Sequence, residues 1–260
     1  MDHMTHAEFL PFEITVAILA CVALILYPAA MHIANKKHRK WPASRCIFWF
    51  LGIILAAAAL SGPLARLSHT DFTAHMMGHL LLGMLAPLLL VFSRPMTLMV
   101  RTLKVSTARK MSGCLNKKYV RFVTHPLVAA TLNIGGLYLI YMTDLFTLMH
   151  TELWLFALVH IHVFLAGYLF TISILYIDIT THRYSFIYRA IVLILALGFH
   201  KILSKLIYAQ PPMGIQKTDG EIGALLMYYG GDIVDIGLII VLCCQWYRST
   251  APKKQDEAWS

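Results

Sequence analysis

Two histidines four residues apart open a long apolar stretch, in the run His75-Met76-Met77-Gly78-His79. On a helix that spacing places both imidazoles on one face, one turn apart. A helix offers two nitrogen ligands to a metal in this way in the HExxH motif, although the glutamate of that motif is absent here. Met76 and Met77 add thioethers, soft donors that favour Cu(I) over hard cations. The competing reading is a pair of interfacial histidines hydrogen-bonded to loops or lipid head groups.

Further chemistry is spaced along the chain. His160 and His162 differ by about 200° around a helix, so at most one of them faces a shared site well. His200 stands alone in a later apolar run. Asp232 and Asp235, in Gly230-Gly231-Asp232-Ile233-Val234-Asp235, share a helix face. They could bind a metal, relay protons, or form ion pairs with Lys201 or Lys205. The start of the chain, Met1-Asp2-His3-Met4-Thr5-His6, would present a free amine and a histidine at the third position, a set suited to Cu(II) or Ni(II).

These residues need elements to hold them, and the composition says which. Hydrophobic residues are 58% of the 260 and charged residues only 13%, against about 45–50% and about 25% in soluble domains. Apolar runs at 12–34, 45–65, 76–93, 124–142, 153–177, 187–208 and 223–246 are near the roughly 20 residues that cross a bilayer. The expectation is an all-α fold, a polytopic membrane helix bundle of about seven transmembrane helices forming a single domain, with a short cytoplasmic tail at 251–260. The first run has no basic residues before it and Lys36, Lys37, Arg39 and Lys40 after it, which reads as an anchor with an exported N-terminus.

Charge sets the orientation. Eighteen of the 22 Lys and Arg residues fall in one alternate set of loops, including Arg94 to Arg121. The positive-inside rule then places the N-terminus outside and the C-terminus inside. Arg101 to Lys110 mixes basic and apolar residues and would either lie on the inner leaflet or form a solvated linker. The net charge of +9 is therefore a signature of insertion, and nucleic acid is excluded as a partner. Five scattered cysteines without a CxxC give neither a disulfide framework nor a thiolate zinc site.

With that topology the histidines converge in depth. At 1.5 Å per residue, His79 lies roughly 6 Å below the outer boundary, His160 roughly 10 Å and His200 roughly 12 Å. Ionisable groups inside a span are costly and mark functional sites. A site built from His75, His79, His160 or His162, and His200 follows. Interhelical hydrogen bonds are the alternative fate for the last three.

The same stretches resemble the CtaG family of bacterial cytochrome c oxidase assembly proteins, of the multi-span type. The resemblance covers roughly residues 60–250. It rests on His75 to Pro87, Thr124-His125-Pro126, His160-Ile161-His162, Gly167 to Phe170, Asp178, Arg189, His200, and Gly223 to Asp232. It implies a multi-pass protein of the bacterial cell (inner) membrane that helps make an active haem–copper oxidase, with copper delivery as its role. His75, His79, His162 and His200 match family histidines. Many members carry Trp-His where this chain has Tyr141-Met142, so Met142 would substitute for a histidine there. Asp178 is followed by Ile179 where members often have proline.

The expected function is an assembly factor that binds copper at an outer-leaflet site drawn from His75, His79, His160, His162, His200, Met76, Met142 and Asp232. It would pass the metal to the oxidase subunit carrying a copper centre. No nucleophile with a base and no phosphate-binding loop is visible, so no enzyme activity is expected. The alternatives are a haem-binding electron-transfer protein with two axial histidines, and a copper or proton-coupled transporter using Asp232, Asp235 and Lys201.

Overall fold

The computed structural model describes residues 6–180 and 182–251. Among these every regular element is helical. The expected N-terminal copper-capture residues His3 and Met4, and the tail beyond Ala251, lie outside the described residues. α1 (His6–Lys37) and α2 (Ala43–Leu60) form an antiparallel pair, and α2 leads through the short α3 (Pro63–Leu67) into α4 (Phe72–Leu80). One π-helical turn, Leu81–Leu85, joins α4 to α5 (Ala86–Ser93). The basic segment is itself helical, as α6 (Pro95–Thr102), α7 (Val105–Leu115) and α8 (Lys118–Val123). The chain returns through α9 (Pro126–Ala130), a second π turn at Thr131–Gly135 and α10 (Gly136–Met142). Next come α11 (Leu145–Thr151), α12 (Leu153–Ile174), α13 (Phe186–Ala209) and α14 (Lys217–Thr250).

Six of these stretches are long and apolar enough to cross a membrane unaided. The fourth expected span differs. Pro126–Met142 reaches span length only together with α11, which is bent away from it by 79°. The break is local and has a side-chain cause. Thr143 is extended (φ −131°, ψ 175°), its hydroxyl donates to the Leu139 carbonyl at 2.5 Å, and the same oxygen accepts from Leu145 N at 3.3 Å. A threonine that satisfies both sides of a chain break lets the backbone turn without orphaned groups. The result carries Phe146, Met149 and His150 sideways over the outer end of the bundle.

The α4–α5 span is central. Its most apolar window is 61% buried, against 11% for α1 and for α2–α3. α2, α12 and α14 pack around it, and α13 lies against α14. Helices in lipid associate through close backbone approach at small residues, and this bundle does so at Gly167. Pro87 has no N–H, so the carbonyl of Gly83 one turn earlier loses its helical donor. That carbonyl is turned onto Gly167 of α12, where any Cβ would collide with it.

Two carboxylates fasten helix starts to distant elements. Asp219, in the first turn of α14, accepts from Phe72 N (2.7 Å), Thr73 N (3.1 Å) and Thr73 Oγ1 (2.7 Å). Asp178 accepts in the same way from Met96 N (2.8 Å), Thr97 N (2.9 Å) and the Thr97 hydroxyl. In each case a negative charge meets the free N–H groups and the positive end of a helix dipole. Asp219 thereby fixes the height of α14 against α4, which carries the paired histidines.

Gly167→Ala is expected to lower the unfolding midpoint of detergent-purified protein, with an overpacking cost of about 1–3 kcal/mol. Gly198→Ala, whose Cβ would meet nothing within 4 Å, should leave the midpoint unchanged or raise it.

Candidate metal centre

The outer half of the bundle holds a series of imidazoles. His69 and His150 have ring centroids 5.7 Å apart, His150 and His75 5.7 Å, and His75 and His160 6.4 Å. One turn below His75 on α4, His79 faces His200 of α13 at 6.2 Å with the planes 25° apart. Their supports are specific. The Tyr141 hydroxyl shares a 3.1 Å hydrogen bond with His75 Nε2. His160 Nδ1 donates to the Phe156 carbonyl at 2.8 Å, which leaves its lone pair on Nε2. A carbonyl in that position fixes the tautomer and orients a ligating imidazole.

Two small cavities border this series, and His79 lines both. The outer one, about 20 Å³, is bounded by His75, His79, Tyr141, Met149 and His160 among apolar neighbours. The inner one, about 30 Å³, is bounded by His79, His200, Asp235, Asn133 and Thr171 together with apolar side chains. A cavity holds a water from about 10–15 Å³, so the inner one has room for an ion or one to two waters. His79 Nε2, both His200 nitrogens and both Asp235 carboxylate oxygens are buried there without a hydrogen-bond partner. His200 and Asp235 are each 3% exposed. Gly231, one turn before Asp235, makes space for the His200 ring: a Cβ there would lie 2.9 Å from His200 Cε1.

His75, His79, His160 and His200 are thus brought together, and the other expected site residues are not. His162 turns to the opposite side of α12. Its Nε2 donates to the Leu132 carbonyl at 3.1 Å and its ring lies where Gly136 has no side chain. That carbonyl also accepts from the Gly136 N–H at the end of the π turn, so the imidazole adds a second bond to its other lone pair. Met76 is fully buried, but it packs with Phe72 against Gly223 of α14. Met142 is 41% exposed at the end of α10. Asp232 forms an ion pair with Lys201 and stays half exposed, while Lys201 also donates to the Tyr228 carbonyl at 2.5 Å and lies over the Tyr228 ring. Between the two aspartates the ion-pair reading therefore holds for Asp232, and Asp235 is the one that enters the cavity.

Sequence reasoning weighed Asp235 for metal binding but left it out of the expected site, and it did not find Tyr141 or Met149 as wall residues. Met149 and His150 carry no signal of their own, because only the bend before α11 brings them inward. Tyr141 was legible as the departure from Trp-His, and it is Tyr141 that bonds His75. Among the described residues no three His, Cys, Asp or Glu side chains stand close enough to close around one ion. The arrangement offers pairs. Two nitrogen–metal bonds of about 2 Å end to end, plus the ring radii, put imidazole centroids about 6 Å apart. The His79–His200 centroids are 6.2 Å apart, so an ion held by both would need their in-plane nitrogens turned toward each other.

His162→Ala should remove the second bond to the Leu132 carbonyl and the ring packed on Gly136, and lower stability by about 0.5–1.5 kcal/mol. Met142→Ala should stay within about 0.5 kcal/mol. Thermal unfolding in detergent separates the two.

Comparison with known proteins agrees with this architecture. The family described as cytochrome c oxidase caa3 assembly factor (Caa3_CtaG) matches residues 25–249. An uncharacterized protein of Mycobacterium leprae is 25% identical over 258 aligned residues, covering 91% of this chain and 39% of that protein. Uncharacterized proteins of Mycobacterium bovis and Mycobacterium tuberculosis are each 28% identical over 196 residues, covering 73% of this chain and 30% of theirs. The chain thus spans well under half the length of these curated relatives. No solved structure matches. With the family match running from within α1 to the end of α14, the chain belongs to the caa3-type cytochrome c oxidase assembly factors.

Proposed function

We propose that this assembly factor carries copper, as Cu(I), between the His79 and His200 imidazoles and releases it to the oxidase subunit that houses a copper centre. The single observation that supports this most is the set of partnerless groups around the inner cavity: three imidazole nitrogens and one carboxylate, all buried. Leaving such groups unsatisfied costs about 1–3 kcal/mol each, and more for a charge. A cation in the cavity would use the nitrogen lone pairs and offset the Asp235 charge at once. A monovalent ion facing one carboxylate leaves no net charge in a low-dielectric interior, where an unpaired charge is strongly disfavoured. With one imidazole nitrogen from each helix, the ion would be two-coordinate, a geometry Cu(I) accepts readily. Met149 adds a soft thioether to the wall of the outer cavity.

The outer histidines would serve as successive stations. Spacings of 5.7–6.4 Å run from His69 through His150 and His75 to His160, and His79, one turn below His75 and on the wall of the same outer cavity, would take the ion from that set. Exchangeable imidazole and thioether ligation suits transfer better than a closed thiolate cage. A haem between His79 and His200 is disfavoured by space, because a cavity of about 30 Å³ is far below the 300 Å³ or more of ordinary cofactor sites. The proposed setting is a bacterial cell membrane, with the oxidase reached laterally in the bilayer.

The test is Cu(I) titration of purified protein against a colourimetric chelator under reducing conditions. Wild type should hold about one Cu(I), and His79→Ala with His200→Ala should weaken it by at least roughly 100-fold, for two lost ligands. His162→Ala should bind as wild type does. Cells carrying the double variant should lose caa3-type oxidase activity while the protein is still present in the membrane. Equal affinity in wild type and double variant would overturn the proposal.

A further inference from the structure

At the opposite, basic face lies a second polar site that the copper proposal does not use. Arg189, in the first turn of α13, is 1% exposed. Its Nη1 donates to the Ile174 carbonyl at 2.5 Å and to Gln245 Oε1 at 3.4 Å. The guanidinium lies between two rings, 4.1 Å from the Tyr176 centroid and 4.3 Å from that of Phe186. Its Nε is buried and has no partner. Among the described residues none of the ion pairs involves Arg189. A buried guanidinium is ordinarily matched by a carboxylate, and among the described residues no carboxylate matches this one.

The surroundings say what that anion is. Arg189 lines an open cleft of about 600 Å³ between the α12–α13 connection and the end of α14. Arg183 and Arg248 line it too, with the Ser185 hydroxyl, and among the described residues no acidic side chain does. Three guanidinium groups around one hollow are the usual receptor for a phosphate, whose oxygens match their forked donors. The rings of Tyr176 and Phe186 hold the deepest of the three in place, so little side-chain freedom is lost on binding. The cleft also opens beside an apolar strip: Ile187, Ile191 and Ile194 of α13 are 66%, 52% and 68% exposed. Their i, i+4, i+7 spacing makes one lipid-facing stripe that starts next to Phe186.

We propose that this cleft binds a phosphate group at the inner leaflet, presented by an anionic phospholipid whose acyl chain follows the isoleucine stripe. The shared chemistry is the phosphate, and a soluble phosphate is its other possible source. Basic pockets on the cytoplasmic side of membrane helices bind phospholipid head groups by this charge complementarity. The site stands apart from the copper proposal in both place and residues.

Native mass spectrometry of the detergent-purified chain, with phosphatidylglycerol or phosphatidylcholine added, tests it. One phosphatidylglycerol should stay bound at a concentration where phosphatidylcholine is lost. Arg183→Gln with Arg248→Gln should weaken phosphatidylglycerol binding at least roughly tenfold, for two lost cations at the surface. Both side chains are exposed, so the fold should survive, and an unchanged thermal midpoint checks that. Arg189→Lys keeps the charge without the fork and should weaken binding in the same direction. Inorganic phosphate at millimolar concentration is the second arm. If it displaces the lipid, the site takes phosphate from either source, and if it does not, the acyl chain is part of recognition. Equal retention of both lipids, with no effect of the double variant and no thermal stabilisation by inorganic phosphate, overturns the proposal.

Discussion

The outer half of this bundle is arranged around two buried imidazoles, His79 and His200, with nitrogens that no group among the described residues partners. In hydrocarbon a polar group must find its partner inside the protein, and the chain obeys that rule at most positions. Tyr141 serves His75, the Phe156 carbonyl serves His160, and the Leu132 carbonyl serves His162. The rule is broken at His79, His200 and Asp235, which share one cavity. Three partnerless side chains around one cavity are the densest such group among the described residues, with His125 Nδ1 and Arg189 Nε standing elsewhere. The family assignment gives that cavity a context, since an oxidase assembly factor acts on an enzyme built around metals.

The breaks in the helices are what make the arrangement possible. Pro87 and the π turn before it free the Gly83 carbonyl and let α12 approach to backbone contact at Gly167. That contact brings Val163 of α12 against Gly83, beside the His79 ring. The second π turn, at Thr131–Gly135, draws His162 away and leaves Asn133 lining the inner cavity. Gly231 removes the side chain that would otherwise occupy the place of the His200 ring. Each irregularity lies within one or two turns of the polar cavity, and the peripheral pair α1 and α2 has no π turn.

Much of this was legible beforehand. The apolar runs and the lysine and arginine asymmetry fixed the helical architecture and a shared depth for His75, His79, His160 and His200. Spacing could not decide between His160 and His162, because the deciding contacts, the Leu132 carbonyl and the open face of Gly136, lie on a neighbouring helix that the spacing within α12 does not show. It also failed at Met76, since a residue beside His75 on the helix necessarily points elsewhere, toward α14. The thioether reaches the histidines as Met149 instead, through a bend that follows from Thr143 and from no periodic pattern. Asp232 and Asp235 share a face in a helical projection, yet Lys201 holds the first outward and the packing of α13 turns the second inward.

The shortness of Pro126–Met142 affects the surrounding lipid as well. A helix of that extent rises about 25 Å, less than the roughly 30 Å of a hydrocarbon core. Lipids beside a short span respond to the hydrophobic mismatch by thinning locally. The dent would form where α11 turns aside, above His75 and His150. Through that dent, a metal-bearing domain in the aqueous phase would come within a few side-chain lengths of the first imidazole without entering the bilayer.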